Sequence, residues 1–143
     1  MTIAVLLLHA AATLYMVGLI WFVQVVHYPL FRAVGREGFA AYEKAHTRLT
    51  GWVVTPPMLV ELATAVALAL WRPAVLPTAW VWISLALVVA IWLMTASLQI
   101  PAHRRLLAGF DAGVHRRLVR SNWLRTAAWT ARGAIALWLL HVG

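Results

Sequence analysis

The 143-residue chain contains no cysteine and few charged residues, which make up 11% of its composition. The lack of cysteine excludes disulfide bonds and thiol chemistry in any cellular compartment. A soluble domain of this size would expose far more Lys, Glu and Asp. The serines stand in no G-x-S-x-G context, and no glycine-rich phosphate-binding loop is present, which excludes two common classes of enzyme.

Hydrophobic residues make up 64% of the chain and fall into four long blocks. Each block is long enough for a helix to cross a hydrocarbon core of ~30 Å, which takes ~20 residues. The first block has no basic start and no small-residue cleavage site, so we do not expect it to be a removable signal peptide. The sequence therefore predicts four transmembrane helices, within residues 2–31, 52–71, 79–100 and 123–142.

The formal net charge of +8 is concentrated in two segments between the predicted helices. Nine basic residues lie there, whereas Arg72 is the single basic residue of the turn between helices 2 and 3. This asymmetry follows the positive-inside rule. It predicts a multi-pass protein, in a bacterial inner membrane, with both basic loops in the cytoplasm and both termini outside. We expect the charge to contact membrane lipid headgroups and not nucleic acid.

Proline positions and interleaved charges suggest where the helices begin and end. We expect one all-α domain over residues 1–143, an integral membrane four-helix up-down bundle with a short interfacial helix between helices 1 and 2. The predicted boundaries are helix 1 over residues 2–26 with a break near Pro29, the interfacial helix over 36–49, a start of helix 2 at Thr55, and an end of helix 3 at Ile100 and Pro101.

Polar residues other than Lys and Arg collect at the predicted cytoplasmic end of every helix. Lipid cannot satisfy such groups, so they should face the interior of the bundle and form a polar pocket there. Helix 4 adds a polar face at spacings of three and four residues, from Asn122 through Arg125 to Arg132. By contrast, we place His9 and His141 at the membrane interface and His115 in a solvated loop.

Three imidazoles and two carboxylates of this set have the chemistry of metal ligands. Glu43 and His46 form the Glu-x-x-His pair of di-iron bundles, and the full predicted ligand set is His27, Glu43, His46, Glu61 and His103. Iron is the favoured metal, with copper or zinc as alternatives. Gln24 and Gln99 would orient the ligands. The predicted catalytic residues are Glu61, Asn122, Arg125 and Arg132.

Two passages resemble the small four-helix membrane proteins grouped with anthrone oxygenases. The pattern IPAHRRLLAG supplies Pro101, His103 and Leu106, and SNWLRTAAW supplies Asn122, Arg125 and Thr126 of a motif that opens helix 4. The passage VHYPLFRAVGREGFAAYEKAH is similar to that family's first cytoplasmic segment. The resemblance implies oxygen-dependent oxidation of a lipophilic, often aromatic, small molecule, and favours an enzyme of the oxidoreductase class.

Two other functions remain open from the residues alone. Two of His27, His46 and His103 could be axial ligands of a b-type haem. Alternatively, Glu61 and Arg132 lie about ten residues into parallel apolar blocks and could meet as a buried ion pair. Such a pair could be structural, or it could serve a small transporter or binding subunit that works as a homo-oligomer.

Overall fold

The computed structural model describes residues 2–143, and this part of the chain is helical without any strand. Four helices follow one another, so the all-α prediction is confirmed. They are α1 over residues 2–33, α2 over Phe39–Leu70, α3 over Thr78–Leu106 and α4 over Ala112–Val142. Gly35 (φ +83°) and Gly109 (φ +132°) adopt the left-handed backbone that the turns after α1 and α3 require.

The helices pack in a ring in which α1 contacts α2 and α4, and α3 contacts the same two helices. One apolar cluster joins Leu6, Leu76 and Leu139 near the chain termini and the α2–α3 turn. Another joins Phe31, Phe39 and Leu106 beside the other two turns. The connections 34–38 and 107–111 therefore lie at the same end of the molecule.

Pro29 and Pro101 do not end their helices, contrary to the sequence prediction. Each is preceded by a π-helical stretch, Val23–His27 in α1 and Thr95–Gln99 in α3. In both places a backbone N–H reaches five residues back, and the wider turn accommodates a proline that would otherwise clash with a carbonyl four residues before it. The helices consequently continue for another turn or more, to Ala33 and Leu106.

The predicted interfacial helix is not a separate element. Residues 39–70 form one helix, with Pro56 and Pro57 inside it. Trp52, whose carbonyl loses its hydrogen bond to the absent N–H of Pro56, is 77% exposed and lies on the outer side of α2. At 32 residues α2 is about 48 Å long, so its first turns extend beyond a hydrocarbon core of ~30 Å.

Three of the four helices are long and apolar enough to cross a membrane. They are α1, α2 and α3, whereas α4 was also predicted to span and is not among them. The reason is its polar content, since Arg125 and Arg132 lie within its apolar half. Both arginines are buried inside the protein, at 6% and 0% exposure. A hydropathy average counts these inward residues as if they faced lipid.

Candidate functional site

Three histidines and a glutamate from three helices meet at the end of the molecule that carries connections 34–38 and 107–111. We call His27, Glu43, His46 and His103 the histidine cluster. His27 Nε2 lies 2.9 Å from His46 Nδ1, and the rings of His46 and His103 are 5.2 Å apart. One turn of α2 places Glu43 and His46 on the same face, and both side chains are buried. The predicted convergence of these four residues is confirmed.

A hydrogen-bonded relay runs from Glu43 through His103 to Tyr28. His103 Nδ1 donates to Glu43 Oε1 at 2.5 Å, which leaves Nε2 to accept from the Tyr28 hydroxyl at 3.0 Å. Glu43 is fully buried, and the side chain of His103 is 14% exposed. A carboxylate that orients an imidazole against a hydroxyl is an arrangement suited to proton transfer. Sequence reasoning missed Tyr28, which resembles an ordinary aromatic residue beside a proline.

The side chains of the histidine cluster are hydrogen-bonded to one another and are not arranged around a metal ion. In residues 2–143 no group of three or more His, Asp or Glu side chains is placed to hold one. Glu61 lies on the same helix as His46, and 15 residues of helix separate them by about 22 Å. The prediction of one ligand set that contains both residues is therefore wrong. Glu43 Oε2 is nevertheless buried without a hydrogen-bond partner.

A second polar chain links α1 to the interior face of α4. Asn122 donates to Gln24 Oε1 at 2.8 Å and accepts from Arg125 at 3.0 Å. The Arg125 guanidinium then lies over the ring of Trp129, 5.0 Å from its centroid. Gln24 thus binds Asn122 and the Val119 carbonyl, and is not hydrogen-bonded to the histidine cluster. The predicted polar face of α4 is confirmed, although Gln24 does not orient a histidine.

Glu61 and Arg132 form a buried ion pair at 3.3 Å, with neither side chain exposed. Trp129 Nε1 donates to the other carboxylate oxygen at 2.9 Å, and Arg132 also donates to the Ser84 carbonyl at 2.5 Å. The pairing considered from the sequence is confirmed. Because Glu61 and Arg132 satisfy each other away from the histidine cluster, the structure does not bring these two predicted catalytic residues to it.

A cavity of about 420 Å³ lies between α1, α2 and α3, and its volume suits a small organic ligand. Its wall is mostly apolar, and its polar groups include Tyr28, His46, His103, Gln99 and Arg125. Tyr28 and His103 of the relay therefore line the same cavity as Arg125. Gln99 donates to Ser121 at 3.1 Å, while its Oε1 is buried and unpartnered. Its predicted role in orienting a histidine has no support in these contacts.

Two further histidines lie elsewhere than the sequence indicated. His115, expected in a solvated loop, is buried on α4, with its Nε2 2.7 Å from the Tyr28 carbonyl. The same carbonyl also accepts from the backbone N–H of Phe31, so His115 uses its second lone pair. His9, expected at the interface, is buried and bonded to Thr64 at 2.8 Å. Both residues appear as isolated histidines in the sequence, which gives no sign of their partners.

The indole of Trp129 is expected to stabilise the protein through its hydrogen bond to Glu61. A Trp129→Phe substitution removes a donor to a buried carboxylate, a bond worth about 1.5–3 kcal/mol. We expect the free energy of unfolding in detergent to fall by about that amount. Trp52→Phe, at a residue 77% exposed, should change it by less than about 0.5 kcal/mol. Equal losses in the two variants would contradict the contribution of the bond.

Comparisons of the chain with protein-family models, with curated proteins and with solved structures find no match.

Proposed function

We propose that the chain is an integral membrane enzyme folded as an up-down four-helix bundle, with both termini outside. The basic residues of connections 34–38 and 107–111 and their flanking turns support a cytoplasmic position for that end. A fourth membrane span is supported by the difference between the two faces of α4. The inner face buries Arg125 and Arg132, whereas Leu124 and Leu137 on the outer face are at least half exposed. An outer surface of this kind suits lipid.

The enzyme is proposed to be an oxidoreductase that oxidises a lipophilic small molecule in the 420 Å³ cavity. The observation that carries this proposal is the Glu43–His103–Tyr28 relay in the wall of an apolar cavity. Weak carbon acids need a positioned base, and burial away from water strengthens each electrostatic contact with the ionised substrate. The resemblance to anthrone oxygenases suggests the substrate class, an activated CH₂ group beside an aromatic ketone.

The proposed reaction starts with a proton transfer along the relay. The Tyr28 hydroxyl proton moves to His103 Nε2, and Glu43 stabilises the resulting imidazolium, while the Tyr28 oxygen takes a proton from the substrate CH₂ group. Arg125, beside Tyr28, stabilises the negative charge that develops. Dioxygen is the oxidant: one of its atoms becomes the new carbonyl oxygen and the other leaves as water with the two hydrogens of the CH₂ group.

A transition metal, whether iron, copper or zinc, remains a separate proposal for the histidine cluster. Its support is the set of donors and the unpartnered Glu43 Oε2. Against it, the side chains are bonded to one another and would have to rotate. Haem b would also require these side chains to move, because His27 and His46 are in direct contact and leave no space for an iron between them. Elemental analysis and a visible spectrum of the purified protein test both: less than about half an equivalent of metal and no Soret band would remove them.

The activity is tested with anthrone as the probe and the protein in lipid nanodiscs. We expect saturable oxygen uptake, with one anthraquinone formed for each oxygen consumed. Tyr28→Phe should lower kcat by about 10²-fold or more, because it removes the proton acceptor but keeps the shape of the cavity. Tyr15→Phe, at a residue 51% exposed on α1, is the matched control. Uptake no faster than in protein-free nanodiscs, or undiminished in Tyr28→Phe, would refute the proposal.

A further inference from the structure

Arg125 carries a buried positive charge that has no carboxylate partner within residues 2–143. The ion pairs of this part of the chain are His103 with Glu43 and Arg132 with Glu61. Arg125 is only 6% exposed, and its contacts are the Asn122 amide oxygen, the Tyr28 hydroxyl and the face of Trp129. Its Nε is buried without a hydrogen-bond partner, as is the Nε of Arg132.

The two buried arginines of α4 therefore make an internal comparison. Arg132 is neutralised by Glu61 and also bonds to Ser84. Arg125 is bound by neutral groups, although an isolated buried charge is expensive and is ordinarily paired. The difference is that Arg125 lines the 420 Å³ cavity and Arg132 does not. A partner for Arg125 can therefore come from a ligand.

The rest of the cavity wall also favours a negatively charged ligand. Arg104 is the second guanidinium of the wall, and no Asp or Glu of residues 2–143 lines it. Most of the remaining lining is apolar. A ligand complementary to this surface has an apolar body and one negatively charged head.

The cavity opens sideways between α2 and α3. Among its lining residues, Thr55 on α2 and Ile100, Arg104 and Leu107 on α3 are exposed. The three α3 residues recur at spacings of four and three and form one stripe along the mouth. Arg104 thus lies at the entrance and Arg125 inside, so an anion can pass from one cation to the other.

Gly51 leaves space in the wall next to this mouth. A Cβ atom built on Gly51 would have no atom within 4 Å, although Gly51 lines the cavity. Glycine inside a helix costs about 1 kcal/mol relative to alanine. The space it leaves allows a larger side chain to be introduced there without a clash. Gly18 on α1 is equally open but lies outside the cavity wall and is exposed.

We infer that the cavity binds a lipophilic acid: an amphiphile whose apolar body fills the cavity and whose single anionic oxygen head, a carboxylate, phenolate or enolate, pairs with Arg125. The ligand enters from the bilayer between α2 and α3. This inference rests on the proposed function only in taking the same cavity as its site, and it adds the charge of the ligand.

The test uses radiolabelled dodecanoate and the full chain purified in a non-ionic detergent, with binding measured by scintillation proximity. Dodecanol and dodecylamine compete as probes with the same apolar body and a neutral or cationic head. We expect dodecanoate to compete at concentrations at least about tenfold lower than dodecanol, because a charged hydrogen bond to a buried guanidinium is lost with the alcohol. The amine should be weakest. Equal competition by the acid and the alcohol would overturn the inference without any variant.

Three variants locate the site. Arg125→Gln should abolish the preference for the acid over the alcohol. Gly51→Leu should weaken dodecanoate binding by about tenfold or more by filling the mouth, and Gly18→Leu should leave it unchanged. Full binding in Gly51→Leu would place the ligand elsewhere. Acid-selective binding without anthrone oxidation would remove the proposed function and leave this inference standing. Anthrone oxidation without a preference for the acid would overturn this inference and leave the proposed function standing.

Discussion

Replacement of Glu43 by glutamine is expected to lower kcat for anthrone oxidation by about 10²–10⁴-fold, the range that positioned acid–base groups contribute. Glu43 accepts the Nδ1 hydrogen of His103 and thereby keeps Nε2 free to accept from Tyr28. A glutamine can donate to Nδ1 instead, which places the imidazole hydrogen on Nε2 and removes the acceptor of the Tyr28 proton. Because Glu43 acts through His103 and does not line the cavity, KM should change little.

The control for this substitution is Glu37→Gln, in the exposed segment that precedes α2. It removes the same charge from the same end of the molecule, and we expect kcat to be unchanged. Thermal unfolding in detergent shows whether Glu43→Gln remains folded. A folded Glu43→Gln protein with undiminished kcat would exclude the relay as the proton acceptor. A rise in KM with constant kcat would instead indicate a role in ligand binding.

Removing either member of the Glu61–Arg132 pair is expected to destabilise the protein by about 3–5 kcal/mol, since the remaining charge is left buried and unpaired. Both side chains are fully buried, and their other partners, Trp129 and Ser84, are neutral. The double variant Glu61→Gln/Arg132→Gln should lose much less than the sum of the single losses, because no unpaired charge remains. Unfolding free energies of the four proteins measure this.

Exposed residues provide the comparison for the pair. Glu37→Gln and Arg120→Gln lie on the surface and should each change stability by less than about 0.5 kcal/mol. Additive losses in the double variant would show that the pair is not coupled. If Glu61→Gln and Arg132→Gln remained as stable as the unchanged protein, a structural role would fail, and a gating or proton-carrying role in transport would become the better explanation.

The histidine cluster could be predicted because its cause is topological. His27, Glu43, His46 and His103 each precede or follow a turn at one end of an up-and-down chain, and polar groups at that depth have to face inward. The relay itself could not be predicted. It depends on which nitrogen of His103 faces Glu43 and on the rotation of Tyr28 into the cavity, and neither leaves a periodic signal in the sequence.

The errors of prediction have a common physical origin in tertiary contacts that override local rules. Pro56 and Pro57 suggest a helix start, yet α2 runs through them because Val54 and Met58, on either side, pack in one apolar cluster with residues of the other three helices. Similarly, Glu61 seemed available as a ligand because helix 2 was expected to start at Thr55, whereas the continuous α2 places ~22 Å of helix between His46 and Glu61. The pairing of Glu61 with Arg132 was considered from the sequence, but the lack of a carboxylate partner for Arg125 depends on tertiary contacts that the sequence does not show.

The two π-helical stretches have a consequence for rotational phase. Each inserts about one residue into an α-helix, and one residue corresponds to about 100° of rotation about the helix axis. Every side chain beyond the insertion is turned by that angle relative to the apolar stripe before it. The insertions at Val23–His27 and Thr95–Gln99 precede Tyr28 and His103 respectively. The relay therefore depends on a change of rotational phase within each of two helices. Residues on one side of each π-helical stretch keep a regular apolar core, while Tyr28 and His103, on the other side, are turned toward each other.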